Sequence, residues 1–152
     1  MAYTLVVVDM QGYFPSARSS RVIDNCLREV RKAIQDRAGV IVLQYKHCGK
    51  TLPAIMGLLD SYDRYEKKIK PHDDGSRQVV NTLRKRRFSK NLKVVGVNTD
   101  CCVYATVSSL SQRSWNGIDL RIKVIADACN SHIDHMAGLN EMMYLPNVSV
   151  VS

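Results

Sequence analysis

Apolar residues along this chain fall into two rhythms, and the rhythms alternate. Residues 3–8 (YTLVVV) and 40–43 (VIVL) are almost unbroken apolar runs, the pattern of strands buried on both faces. Between them Val22, Ile23, Cys26, Leu27, Val30 and Ile34 recur at helical spacing over 21–37, and Gly39 ends the stripe. Residues 46–63 predict a loop holding a short helix around 54–59. Residues 64–70 alternate Tyr65, Lys67 and Ile69 against Glu66, Lys68 and Lys70, a third strand polar enough for a sheet edge. HDDGS at 72–76 is turn chemistry, with Ser76 placed to cap a helix that reaches Arg87 through Val79, Val80 and Leu83. A strand over 92–97, a helix over 102–114, a strand over 120–126, a helix over 133–143 and a strand over 148–151 complete the reading.

Strand and helix alternate throughout, with no linker, repeat or low-complexity stretch. That order predicts a three-layer, Rossmann-like α/β fold: a mostly parallel six-stranded sheet with helices on both faces, joined by right-handed crossovers. The 152 residues suit a single domain over 1–152.

Composition changes this picture little. Hydrophobic residues make up 45% and charged residues 24%, an ordinary globular balance, and no run is long enough to span a membrane. MAYTLVVVDMQ has no basic start and ends on an acid, so it reads as a first strand rather than a signal peptide, and a cytoplasmic protein is expected. Five cysteines (Cys26, Cys48, Cys101, Cys102, Cys129) at irregular spacing form no disulfide framework and no structural zinc motif. The net charge of +8 raises nucleic acid as a partner. The basic run Arg84–Arg87, however, closes a helix, where cations complement the dipole, and no nucleic-acid-binding motif accompanies it. Nucleic acid is thus the weaker expectation and a small-molecule substrate the stronger.

In a parallel sheet, ligands bind beyond the carboxyl ends of the strands. Asp9 follows the first strand, Lys70 ends the third, and Cys101 and Cys102 follow the fourth. Taken singly, each has an ordinary reading: a turn residue, a surface lysine, small buried hydrophobes. Together they predict a cysteine nucleophile with a carboxylate base. Cys102 falls in the first turn of a helix, where free N–H groups and a nearby lysine are expected to lower a thiol pKa. Cys101, one residue earlier, is expected to pack or to line the wall. Asp9 can take the thiol proton and return it to a leaving group. Backbone N–H groups between Asn98 and Cys102 are the candidate oxyanion donors. His132 and His135 follow the fifth strand and are expected at the rim. A disulfide between adjacent Cys101 and Cys102 is opposed by geometry.

These residues carry a resemblance. LVVVDMQGYF at 5–14, VVGVNTDCCVYAT at 94–106 and VIADACNSHIDHM at 124–136 resemble segments of the isochorismatase-like cysteine hydrolases, which include nicotinamidases and related amidohydrolases. The resemblance spans nearly the whole chain, and the TDxCVxAT-like loop is its most specific part. It implies Cys102 as nucleophile, Asp9 as acid/base and a lysine near the end of the third strand, either Lys70 or Lys68. It implies a cis Val97–Asn98 bond that aims the Asn98 N–H, with that of Cys102, into an oxyanion hole. It also implies Gln11 in the pocket lining, hydrolysis of a small amide through an acyl-enzyme, and self-association. Nicotinamidases of this family hold a metal through an Asp-x-His element. Here QYKHCGK places Tyr45 where the aspartate would stand, two residues before His47, so neither metal nor other cofactor is expected. A catalytically inactive binding or scaffold protein, contacting nucleic acid or an acidic partner, is the competing expectation.

Overall fold

A computed structural model describes residues 2–152. Its strands are β1 (Thr4–Val8), β2 (Gly39–Tyr45), β3 (Tyr65–Lys70), β4 (Asn91–Val97), β5 (Arg121–Asn130) and β6 (Val148–Val151). Its helices are α1 (Ser20–Gln35), α2 (Pro53–Leu59), α3 (Ser76–Arg86), α4 (Tyr104–Gln112) and α5 (His135–Met143). The strands form one six-stranded sheet in the order β3-β2-β1-β4-β5-β6, and every neighbouring pair is parallel.

Two cores explain the apolar runs. Alternate residues of the central strands point to opposite faces. Leu5, Val7, Val40, Val42 and Val95 meet the stripe Val22–Cys26–Val30 of α1 and Ile55 and Leu59 of α2. Val6, Val8, Ile41, Leu43 and Val94 meet Val79 and Leu83 of α3, Val107 and Leu110 of α4, and Leu139 and Met142 of α5. The β1 valines are fully buried, and each such side chain contributes about 1.5–3 kcal/mol of transfer free energy. β3 lies at the sheet edge, which is why its pattern is polar: Glu66 and Lys68 are half-buried, Lys67 is exposed, and only Lys70 at its end is buried.

Several local expectations need correction. Ser76 does not cap α3. It is the first helical residue, and Asp74 Oδ1 accepts its N–H at 2.8 Å. β5 runs to Asn130, past the expected end at 126, because it bulges between Val124 and Cys129, opposite Val94 to Gly96 of β4, and then pairs Cys129 and Asn130 with Gly96 and Val97. The helix expected from Cys102 starts properly only at Tyr104. Thr99–Val103 instead form a single wide π-type turn, whose Val103 N–H bonds to the Asn98 carbonyl at 3.1 Å.

The chain order reverses between β1 and β4: β2 and β3 build outward on one side, β5 and β6 on the other. Such a switch point leaves a crevice at the carboxyl ends of the two central strands. Gly96 sets how closely they approach there. It takes φ 124°, and a Cβ on it would lie 2.1 Å from the carbonyl oxygen of Val8, the residue before Asp9. Gly96→Ala is therefore expected to destabilise the protein by more than about 3 kcal/mol, since neither strand backbone can yield. Thermal denaturation measures this, and an unchanged Tm would contradict the packing described.

Candidate active site

Asp9, Lys70 and Cys102 meet at this crevice. Asp9 leaves β1 with φ 51°, a left-handed turn that swings the chain across the strand ends, and its N–H bonds to Leu43 O at 3.0 Å. Lys70 ends β3, two strands away, and reaches inward so that Nζ lies 2.9 Å from Asp9 Oδ2. Cys102 arrives on the π-type turn after β4. The three are 1%, 0% and 4% exposed, so they face one another with little water between. Lys68, the alternative lysine, lies further back on β3 and pairs with Glu66 at 3.5 Å, so Lys70 is the lysine at the carboxylate.

The pair is incompletely saturated. Besides its contact with Asp9, Lys70 gives hydrogen bonds to the carbonyls of His72 (3.0 Å) and Asp73 (3.2 Å). Neither Asp9 oxygen receives a well-directed hydrogen bond, which leaves the carboxylate free to accept a proton. Burial pushes Asp9 above the ordinary carboxylate range, against the opposing pull of the Lys70 ammonium and the Cys102 thiol. Cys102 corrects the expectation of a lowered thiol pKa. Burial raises it well above its ordinary value, the neighbouring Asp9 charge raises it further, and Lys70 only partly offsets both. Burial thus favours the protonated form at both Cys102 and Asp9.

Two residues read otherwise in the sequence complete the surroundings. The ring of Tyr45 lies 4.0 Å from Lys70 Nζ, a cation–π contact. Its hydroxyl donates to Asp73 Oδ1 at 2.9 Å, and that bond holds the phenol proton up to about 12. Asp73 Oδ1 in turn lies 3.8 Å from Cys102 Sγ. Asp73 is exposed, as is Cys101, so the two form the outer rim above the buried trio. Of the two expectations for Cys101, packing and lining the wall, its exposure removes only the first. The HDDGS segment signalled only a turn, and nothing in its pattern singled out Asp73.

Gln11 also needs correction. It is fully buried and does not line open space. Its Nε2 donates to the carbonyls of Tyr45 (3.1 Å), Cys48 (3.1 Å) and Gly49 (2.8 Å), and its Oε1 accepts the Tyr45 N–H at 2.8 Å. The amide pins the loop after β2, and with it the Tyr45 ring on Lys70. Gln11→Ala leaves those four backbone groups without their partner, and a stability loss of about 2–3 kcal/mol is expected. Denaturant unfolding reads it; a loss confined to substrate KM would restore Gln11 to the pocket lining.

The Thr99–Val103 turn is held from the β5–α5 connection and from α5. The Val97–Asn98 peptide is cis. The Asn98 side-chain oxygen accepts from Ser16 Oγ and lies 3.3 Å from His132 Nδ1. Thr99 Oγ1 lies 2.7 Å from His135 Nδ1. Asp100 accepts from Ser131 Oγ at 2.5 Å and from the Asp134 N–H at 3.2 Å. A Cβ on Gly138 would lie 2.7 Å from the Asp100 nitrogen, so α5 rests its backbone on the turn. The two histidines thus brace the turn rather than reach the thiol. Among the described residues, no three His, Cys, Asp or Glu side chains cluster as metal ligands. His47 is exposed and Tyr45 is engaged with Asp73, so the donor set does not fit a metal centre.

Comparison with known proteins agrees with this architecture. The family profile described as Isochorismatase domain matches residues 3–152. The nicotinamidase of Staphylococcus aureus superposes with a TM-score of 0.80 at 19% identity, covering 97% of each chain. The MAR1 ribonuclease of Caenorhabditis elegans gives 0.82 at 21% identity, covering 98% of this chain and 76% of its own. The N-carbamoylsarcosine amidase of Thermoplasma acidophilum gives 0.80 at 16% identity, covering 99% and 96%. At these identities the likeness is one of fold. No curated protein sequence matches the chain. No helix among the described residues is long and apolar enough to cross a membrane.

Proposed function

The chain belongs to the isochorismatase family, and we propose that it is a cysteine hydrolase that cleaves a C–N bond in a small amide. The observation that carries this reading is the 2.9 Å contact between Lys70 Nζ and Asp9 Oδ2, buried beside the Cys102 thiol. Two of the similar folds, a nicotinamidase and an N-carbamoylsarcosine amidase, are named for amide cleavage.

In this reading the Cys102 sulfur attacks the amide carbon as its proton passes to Asp9, so the thiolate never stands alone. Coupling the transfer to attack suits a thiol whose pKa burial has raised. The tetrahedral oxyanion forms beside the backbone N–H groups of Asn98 and Cys102. Protonated Asp9 then gives its proton to the departing amine, leaving a thioester on Cys102. Water attacks the thioester and passes a proton to the Asp9 carboxylate; collapse expels the Cys102 sulfur, which takes that proton back. Lys70 holds the Asp9 charge in a buried site, and Tyr45 and Asp73 shape the entrance. A cytoplasmic setting and self-association remain part of the proposal; exposed Met136, Met143 and Tyr144 on or beside α5 suit the latter.

A second reading rests on the closure of the site: with all three groups at most 4% exposed, the fold could serve as a catalytically inactive binding protein. Ammonia release from a panel of small primary amides separates the two. Hydrolysis by the wild type, with background rates for Cys102→Ala, is expected. Equal rates for both would remove the cysteine hydrolase, and no turnover of any amide would favour the binder.

A further inference from the structure

The net charge of +8 is not consumed by the site described, and much of the basic run Arg84–Arg87 is engaged within the fold. Arg84 bonds to Trp115 O at 2.7 Å, Lys85 pairs with Glu66 at 3.3 Å, and Arg86 meets both Glu66 and the carbonyl of Asp63. Another group of cations lies at the opposite end of the sheet. There a cavity of about 650 Å³ opens at the amino-terminal ends of β1, β4, β5 and β6. Its volume falls within the range of small-molecule sites, roughly 300–1,000 Å³.

Three cations line it: Lys93, Arg121 and Lys123. Lys93 and Lys123 sit directly opposite one another on neighbouring parallel strands. Like charges so placed repel and destabilise a sheet. Arg121 lies two residues before Lys123, on the same face. Among the described residues, none of the three makes an ion pair within 4.0 Å. The acid in the lining, Asp36, accepts the Tyr3 hydroxyl at 2.9 Å, and Lys93 Nζ rests 4.2 Å over the Tyr3 ring. Burial and the charges of Lys32 and Lys123 push the Lys93 pKa down, and the carboxylates of Glu29 and Asp36 only partly oppose them.

We propose that this groove is a second binding site, distinct from the Asp9–Lys70–Cys102 crevice, and that it takes a phosphate-bearing small molecule. A phosphate group is compact and multiply charged. It can bridge the opposed lysines and accept the Arg121 fork, turning a repulsive row into a charge-assisted one. The mixed floor of the cavity leaves room for an organic body beside it.

The test is a titration of the ¹⁵N-labelled protein with inorganic pyrophosphate and, separately, with ATP and with sulfate. Saturable amide shifts at 91–93, 121–123 and 147–149 are expected, with pyrophosphate binding below about 1 mM and sulfate clearly weaker. A Lys93→Gln/Arg121→Gln/Lys123→Gln variant is expected to weaken pyrophosphate at least about tenfold, while Arg84→Gln leaves it unchanged. Should the triple variant not fold, Lys123→Gln alone is expected to weaken pyrophosphate and to raise the Tm of the unliganded protein by relieving the Lys93 repulsion. ATP tighter than pyrophosphate supports a nucleotide-like ligand, and equal binding a phosphate group alone. The proposal is overturned by shifts that do not saturate, by sulfate binding as well as pyrophosphate, or by a variant that binds like wild type. It is equally overturned by a single-stranded oligonucleotide shifting these amides while pyrophosphate does not, which would make the surface a nucleic-acid contact. None of these outcomes depends on amide turnover.

Discussion

Asp9→Asn is expected to cut amide turnover by about 10²–10⁴-fold while lowering the pH at which Cys102 is alkylated. The two effects have opposite signs because Asp9 acts on the thiol in two ways. As a charge it raises the thiol pKa; as the proposed base it takes the proton at the moment of attack. Asparagine retains the shape but removes both actions, and Lys70, still bonded to the carbonyls of His72 and Asp73, then pulls the thiol pKa down against burial and the Asp73 charge alone. Iodoacetamide labelling against pH, read at Cys102 by peptide mass mapping, should show the midpoint move down in the variant. Exposed Cys101 is followed as a separate peptide species. A merely structural Asp9 would give an unmoved midpoint, or labelling and turnover lost together as the fold loosens.

The second large effect is on stability. Lys70→Met removes the cation from a fully buried pair, and breaking such a pair from one side costs roughly 3–5 kcal/mol when the remaining charge stays ionised. The cost should depend on pH. With Lys70 gone, the pull that lowers Asp9 disappears while its burial remains, so the folded-state pKa rises further above the ordinary value of 3.8. A raised carboxyl pKa favours the folded state while the group is protonated, and that advantage fades as pH climbs through the folded value. The gap in Tm between Lys70→Met and wild type should therefore be narrow near pH 4 and wide near pH 8. A gap independent of pH would mean that Asp9 does not carry the buried charge. Turnover should fall as well, with its acid limb moved to higher pH.

Much of this architecture is legible in the order of residues. Valine runs bounded by helical stripes announce a parallel sheet. The polar alternation of Tyr65–Lys70 announces an edge, and Asp9, Lys70 and Cys102 at three strand ends converge once the strands are parallel. What escapes the sequence depends on side-chain direction and on burial. Tyr45 reads as a missing metal ligand, because only the fold shows its ring over Lys70 and its hydroxyl on Asp73. Gln11 is a pocket group only by resemblance, since a glutamine two residues past Asp9 can face either the crevice or the chain. Here four backbone groups of the Tyr45 loop claim its amide. The thiol pKa escapes for a similar reason: a cysteine after a strand suggests a helix N-terminus, but burial and the neighbouring Asp9 charge raise it.

Quenching the wild-type protein in acid during turnover of a hydrolysed amide, then weighing it intact and mapping the peptides, addresses the chemistry at its source. An added acyl mass on the Cys102 peptide, absent from Cys102→Ala and cleared as substrate runs out, is the predicted result. Sustained turnover with no adduct, or an adduct on Cys101 in its place, would contradict attack by the buried sulfur.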